Sequence, residues 1–130
     1  MERRTVVLVE NNPGIAEMVQ SVMEQLDGAD VIIAESTGQA EALVRDLKPA
    51  LVIADDDTPP HSGQLLIASL KADMETRDIP IVVLCSDSQA CRELVSEGAE
   101  AFLPKPFDVG DLVGLIEFYT QTVPPRPGGR

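Results

Sequence analysis

A chain of 130 residues is long enough to bury one core and too short to carry a second folded module. Hydrophobic residues make up 44% of it, aromatics only 3%, and Trp is absent, so Val, Ile, Leu and Ala must fill the interior, as they do around parallel sheets. A formal net charge of −12, with the ten Lys and Arg scattered apart from Arg3-Arg4 and two tail arginines, argues against direct contact with nucleic-acid phosphates or anionic membrane surfaces.

The opening Met1-Glu2-Arg3-Arg4 runs into a short apolar stretch that is neither a signal peptide nor a membrane span, which predicts a cytoplasmic location. The first strand is predicted at Thr5–Val9. Asn12 then serves as the N-cap of a first helix with Pro13 at its first position, where the missing N–H costs nothing. Ile15, Met18, Val19, Val22, Met23 and Leu26 recur at three and four and form one apolar stripe, ended by Gly28. A second strand is predicted at Asp30–Ala34. Ser36 with Gln39 forms a capping box for a second helix that turns Ala40, Leu43, Val44 and Leu47 inward and stops at Pro49.

The third strand, Ala50–Ala54, precedes a helix from about Gly63 to Ala72. Ile81–Cys85 is the fourth strand, followed by a helix over Ser88–Glu97 that ends at Gly98. Ala101–Leu103 is the fifth strand, and a last helix starts from Asp108 with Leu112, Leu115, Ile116 and Tyr119 facing inward. Strict alternation predicts an α/β fold, a (βα)5 doubly wound parallel five-stranded sheet, and the order 2-1-3-4-5 is expected because it brings the ends of the first and third strands together and collects Glu10, Asp55 and Lys105 in one crevice. Residues 1–121 form the domain, and the Pro/Gly-rich stretch 122–130 is a flexible tail.

Cys85 and Cys91 lie six apart with no C-x-x-C spacing and no nearby His, so neither a zinc site nor a redox motif is legible, and both read as free thiols.

Ligands on doubly wound sheets sit at the C-terminal ends of the strands. Those ends carry Glu10-Asn11, Asp55-Asp56-Asp57, Cys85-Ser86 and Lys105. Carboxylates facing a lysine outline a site for a hard cation and a phosphoryl group: oxygens hold Mg²⁺ while the lysine neutralises phosphate charge. Asp55 follows a continuously apolar strand, which favours a functional role. The side chains of Asp56 and Asp57 read as solvated, and His61, the only histidine, reads as an exposed loop residue.

Several stretches, in order and at matching spacing over about residues 5–120, resemble the receiver family of two-component response regulators. Val6-Val7-Leu8-Val9-Glu10-Asn11-Asn12-Pro13 resembles the family's opening strand and acidic pair. Pro49 to Asp55 resembles its acceptor strand, with Pro59 and Gly63 four and eight residues on. Ile79 to Ser86 resembles the strand that ends in Thr or Ser, and Gly98 to Phe107 the segment with the switch aromatic and Lys-Pro pair.

The resemblance implies a flavodoxin-like fold, with Asp55 as phosphoryl acceptor from a histidine kinase or phosphotransfer protein. It implies Glu10, Asn11, Asp55 and the Asp57 backbone carbonyl as the Mg²⁺ site, Lys105 as phosphate contact, Phe102 as switch aromatic, and a cis Lys105-Pro106 peptide. Output passes through the face of the fourth helix, fifth strand and fifth helix to a downstream protein. The chain is then no enzyme beyond self-phosphorylation and autodephosphorylation at Asp55.

Two positions depart from the family pattern. Asn11 replaces an acid and predicts weaker Mg²⁺ binding. Cys85 stands at the hydroxyl position, so either the switch is weakened or Ser86 substitutes, provided the strand has already ended there. These departures keep open a second reading, a pseudo-receiver that binds partners without phosphorylation. A phosphatase of the haloacid dehalogenase type is excluded because Pro59 stands where its motif needs Thr or Val, and a dinucleotide enzyme because no G-x-G-x-x-G follows the first strand.

Overall fold

The computed structural model describes residues 4–57 and 61–121. In chain order its elements are β1 (Arg4–Val9), α1 (Pro13–Glu24), β2 (Ala29–Ala34), α2 (Thr37–Leu47), β3 (Leu51–Asp55), α3 (Ser62–Lys71), β4 (Ile81–Cys85), α4 (Ser88–Glu97), β5 (Ala101–Pro104) and α5 (Val109–Thr120). The strands form one sheet of order β2-β1-β3-β4-β5, every neighbouring pair parallel. This is the expected doubly wound topology. The expected tail, 122–130, lies outside the described residues, as does Pro59.

Every residue of β3 and β4 is buried, because helices cover both faces of the sheet centre. On one face Val6, Leu8, Ile53 and Leu84 pack with Val19, Val22 and Met23 of α1 and with Leu112 and Ile116 of α5. On the other, Val7, Val9, Val52, Ala54, Val83 and Cys85 pack with Ala40 and Val44 of α2, Leu66, Ile67 and Leu70 of α3, and Cys91 and Leu94 of α4. Each such Val, Leu or Met contributes about 1.5–3 kcal/mol by leaving water. No helix among the described residues is long and apolar enough to cross a membrane.

Local chemistry sets the helix ends. Asn12 Oδ1 accepts from the Gly14 and Ile15 N–H groups, the cap expected for α1. At the other end α1 stops at Glu24, short of Gly28: the Gln25 and Leu26 N–H groups bond to Val22 and Met23 carbonyls in tighter turns, and Gly28 supplies φ 81° at the entry to β2. Leu26 stays buried outside the helix.

Ser36 Oγ accepts from the Gln39 N–H at 3.2 Å, but Gln39 Oε1 returns to the Glu35 N–H at 2.9 Å instead of to Ser36, so the box closes one residue early. Leu47, expected inside, is 42% exposed: it is the last residue of α2, where the chain turns away through left-handed Lys48.

Cys85 and Cys91, expected as free thiols, are disulfide-bonded, with Cα atoms 6.0 Å apart. Cys85 closes β4 and Cys91 sits in the first turns of α4, so the intervening bend carries six positions of chain back onto one point of the core.

Candidate functional site

Strand register brings the relevant residues to one edge. Val9 aligns with both Ala34 and Ala54, Asp55 with Leu84, and Cys85 with Pro104, so the residues following β1, β3, β4 and β5 leave the sheet side by side. Asp55 is the last residue of β3, one position later than expected, and is 1% exposed.

Lys105, just beyond β5, spans the gap. Its Nζ lies 2.5 Å from Asp55 Oδ2 and 3.1 Å from Asp57 Oδ2, one ammonium bridging two carboxylates. Its backbone N–H bonds to the Cys85 carbonyl at 2.9 Å, and the Lys105-Pro106 peptide is cis, as the family resemblance implied. Burial alone would lower the lysine's pKa, but Asp55 and Asp57 outweigh it and hold the ammonium above its usual range.

Asp55 Oδ1 accepts the Asp57 N–H at 2.9 Å, which folds the acidic loop over the strand end. The Asp57 side chain, expected to be solvated, is exposed but engaged: Ser86 Oγ donates to its Oδ2 at 2.6 Å. Partial burial raises its pKa, yet the Ser86 hydroxyl and then Lys105 prevail and hold the carboxyl below the ordinary aspartate range.

Asp56, also expected to be solvated, is buried instead. Its Oδ1 accepts the Gln64 N–H at 3.0 Å and so caps α3 from outside the helix, while its Oδ2 lies 3.6 Å from His61 Nδ1. His61 itself is exposed, as expected, and starts α3 in a left-handed conformation without a side-chain cap. Gly63 packs so closely beneath Asp56 that a Cβ there would fall 3.0 Å from Asp56 Oδ1 and 3.2 Å from Val83 Cγ1.

Glu10 is the most perturbed group. It is 2% exposed; the Asn12 N–H reaches Oε2 at 3.1 Å, and among the described residues no donor reaches Oε1. Burial first, then hydrogen bonding with and repulsion by the Asp55 carboxylate, push its pKa up to about 8. A buried carboxylate oxygen without a donor beside a second carboxylate is where a cation fits. Among the described residues no three His, Cys, Asp or Glu side chains converge on a metal position, so a cation here would take two carboxylates, backbone carbonyl and water. That set suits Mg²⁺, which keeps several waters. Glu10 also lines an open cleft of about 320 Å³ together with Asn11, Asn12, Glu17 and Glu35, a lining that does not include Asp55 or Lys105.

The two hydroxyl-position candidates part company. β4 ends at Cys85, whose side chain turns into the core beneath α4, and Ser86 is therefore free to face the acceptor edge. Phe102 is half-buried against that same core cluster, beside Val83 in register. The structure thus brings Glu10, Asp55, Asp57, Ser86 and Lys105 together, leaves Asn11 on the cleft wall, and sets Cys85 and Phe102 behind the site.

Residues 6–117 match the family described as response regulator receiver domain. The chain is 33% identical over 119 residues to the phosphate regulon transcriptional regulatory protein PhoB of Pseudomonas aeruginosa, covering 90% of this chain and 52% of that protein. Over 114 residues it is 29% identical to the response regulator Rre1 of Synechocystis, covering 86% and 49%. The chain thus spans about half the length of these relatives.

The non-phosphorylated HemR receiver domain of Leptospira biflexa superposes with TM-score 0.78 at 26% identity, covering 96% of this chain and all of that one. The receiver domain of the Pseudomonas aeruginosa sensor histidine kinase PA1611, solved with magnesium in its active site cleft, shares the fold at TM-score 0.81 and 22% identity, covering 92% and 98%. Because the matched span runs from β1 into α5 and takes in every strand end that builds the site, this chain belongs to the receiver domains of two-component response regulators.

Proposed function

We propose that Asp55 accepts a phosphoryl group from a histidine kinase or phosphotransfer protein and that the face of α4, β5 and α5 carries the signal to a downstream protein. One observation carries the reading: a buried carboxylate at a strand end, with an ammonium on one oxygen and a backbone N–H on the other. In the transfer an Asp55 carboxylate oxygen forms the O–P bond as the donor's N–P bond breaks, and the leaving imidazole nitrogen takes the electron pair and then a proton.

Lys105 orients the Asp55 oxygen in the free protein and can swing its charge onto the incoming phosphoryl oxygens. Ser86 supplies a hydroxyl donor at the same edge, in the role that Cys85 cannot fill from inside the core. Glu10, Asp55 and the Asp57 backbone carbonyl would hold Mg²⁺, which supplies charge neutralisation at the transferring group when bound. Asn11 adds a neutral oxygen at the cleft wall, which supports weak binding.

The output face has the surface for a partner: Val95 on α4 and Val109 and Phe118 on α5 are exposed, Phe118 by 72%. The test is intact mass after incubation with a small phosphodonor and Mg²⁺. One added phosphoryl group, absent in Asp55→Asn, is the expected result; no gain in the unaltered chain would favour the phosphorylation-independent interaction module.

A further inference from the structure

The Cys85–Cys91 pair belongs to no part of the phosphoryl site, yet it sits directly behind it. We propose that Cys85 and Cys91 are a reversible redox modification site, closed by low-molecular-weight disulfides of the glutathione type, that fixes α4 to the end of β4. The effect on signalling rests on the reading of α4, β5 and α5 as the output face.

Both chemical states are accommodated. The Cα separation of 6.0 Å lies within the range a disulfide needs. In the disulfide form Cys91 Sγ lies 3.8 Å from the Cys85 carbonyl oxygen, an acceptor already beside the S–H that reduction would create, and both side chains sit in the apolar cluster with Val83, Leu94 and Ala99. With only two cysteines in the chain, oxidation has one intramolecular outcome.

The cross-link closes a short ring through Ser86, Asp87, Ser88, Gln89 and Ala90, so it constrains the unfolded chain far less than a long-range disulfide, and either state is compatible with the fold. Cys85 and Cys91 are 2% and 0% exposed, so exchange passes through opening of the first turn of α4, whose residues Ser88 and Gln89 are exposed.

The exchange runs in two steps. The thiolate of one cysteine attacks the small disulfide, forming a mixed disulfide and releasing one small thiol. The second cysteine then displaces the other, so the pair loses two electrons and two protons while one small disulfide becomes two thiols. In the closed state the ring holds three things together: the Cys85 carbonyl that bonds the Lys105 N–H, the Ser86 hydroxyl that bonds Asp57, and the start of α4. Movement of α4 in response to Asp55 is then restrained at its first turn.

The test equilibrates the full chain in glutathione buffers from fully reduced to fully oxidised, quenches with acid, denatures, alkylates and reads intact mass. A single passage from two alkyl groups to none is expected, reversed by returning the sample to reduced glutathione. Cys85→Ser and Cys91→Ser should each give a glutathione adduct instead. Two alkylatable thiols throughout, a dominant glutathione adduct on the unaltered chain, or a disulfide that resists reduction in the folded protein overturns the site.

In the second arm, both redox forms receive acetyl phosphate and Mg²⁺ and are followed by mass and by amide exchange of residues 88–97. With equal phosphoryl gain, the phosphodonor-dependent change in exchange should be at least about threefold smaller in the disulfide form, as tethering confines local opening. Equal changes overturn the regulatory role. Absence of phosphoryl gain in both forms overturns the acceptor reading and this role with it, while the alkylation pattern still decides whether the redox site exists.

Discussion

Ser86 Oγ and Asp57 Oδ2 are joined by a 2.6 Å hydrogen bond that ties the bend after β4 to the loop after β3. Under the proposed phosphorylation of Asp55, the same hydroxyl and the same Lys105 ammonium would have to reorganise around the phosphoryl group.

Ser86→Ala should therefore act on two readouts. The Asp57 carboxyl should move up toward its ordinary pKa, since the largest favourable contribution to its ionised form is gone, and carbon-detected titration of Asp57 would show it. Loss of one charge-assisted hydrogen bond should also lower the steady-state phosphorylated fraction by about tenfold, measured by intact mass. An unchanged fraction would mean that a backbone N–H, and not Ser86, meets the phosphoryl group.

The pH dependence follows from Glu10. Its folded-state pKa is raised from 4.5 to about 8, so between those values the folded protein holds a proton that the unfolded chain has lost, and stability falls as pH rises through that window. Glu10→Gln removes the titration. In metal-free buffer the variant should gain on the parent by on the order of 3 kcal/mol between about pH 5 and pH 8.5. Parallel urea curves with no pH-dependent gap would show that Glu10 is not desolvated.

Asn11→Asp should strengthen Mg²⁺ binding by about tenfold or more, because it adds a formal charge to the wall of the cleft that Glu10 opens into. Calorimetric titration of both proteins gives the ratio. Equal affinities would place Asn11 outside the cation's reach.

Packing under the acidic loop yields a paired test. Gly63→Ala should cost about 1–3 kcal/mol, since its Cβ meets Asp56 and Val83 in a filled space. Gly114→Ala, inside α5 with nothing near its Cβ, should instead stabilise by up to about 1 kcal/mol through helix propensity. Thermal unfolding separates the two signs; a neutral Gly63→Ala would mean that α3 shifts to make room.

The strands were legible because each is a short apolar run between cap and breaker signals, and Asn12, Ser36 and Asp108 mark three helix starts locally. Glu10, Asp55 and Lys105 were legible because each stands directly after a short apolar run, and the strand order was expected from the crevice they would share. What escaped is non-local or hangs on a single residue of phase. Asp56 is buried by an amide eight residues away, which a run of three acids cannot announce. Whether Cys85 or Ser86 faces the site depends on where β4 stops, and the Cys85–Cys91 pairing depends on how sharply the chain bends after it. Leu47 continues the stripe of α2 in sequence but not in space, since the helix has already reached its end.

The chain order of the site has a consequence for how the domain is made. The buried carboxylates Glu10, Asp55 and Asp56 lie at the ends of the adjacent strands β1 and β3, while the ammonium that meets Asp55 comes 50 residues later. A nascent chain that has reached only β4 therefore holds the Asp55 carboxylate without the ammonium that meets it, and compaction before β5 is added would bury that charge unpaired. Completion of the last crossover is thus the event that gives the buried Asp55 carboxylate its charge partner.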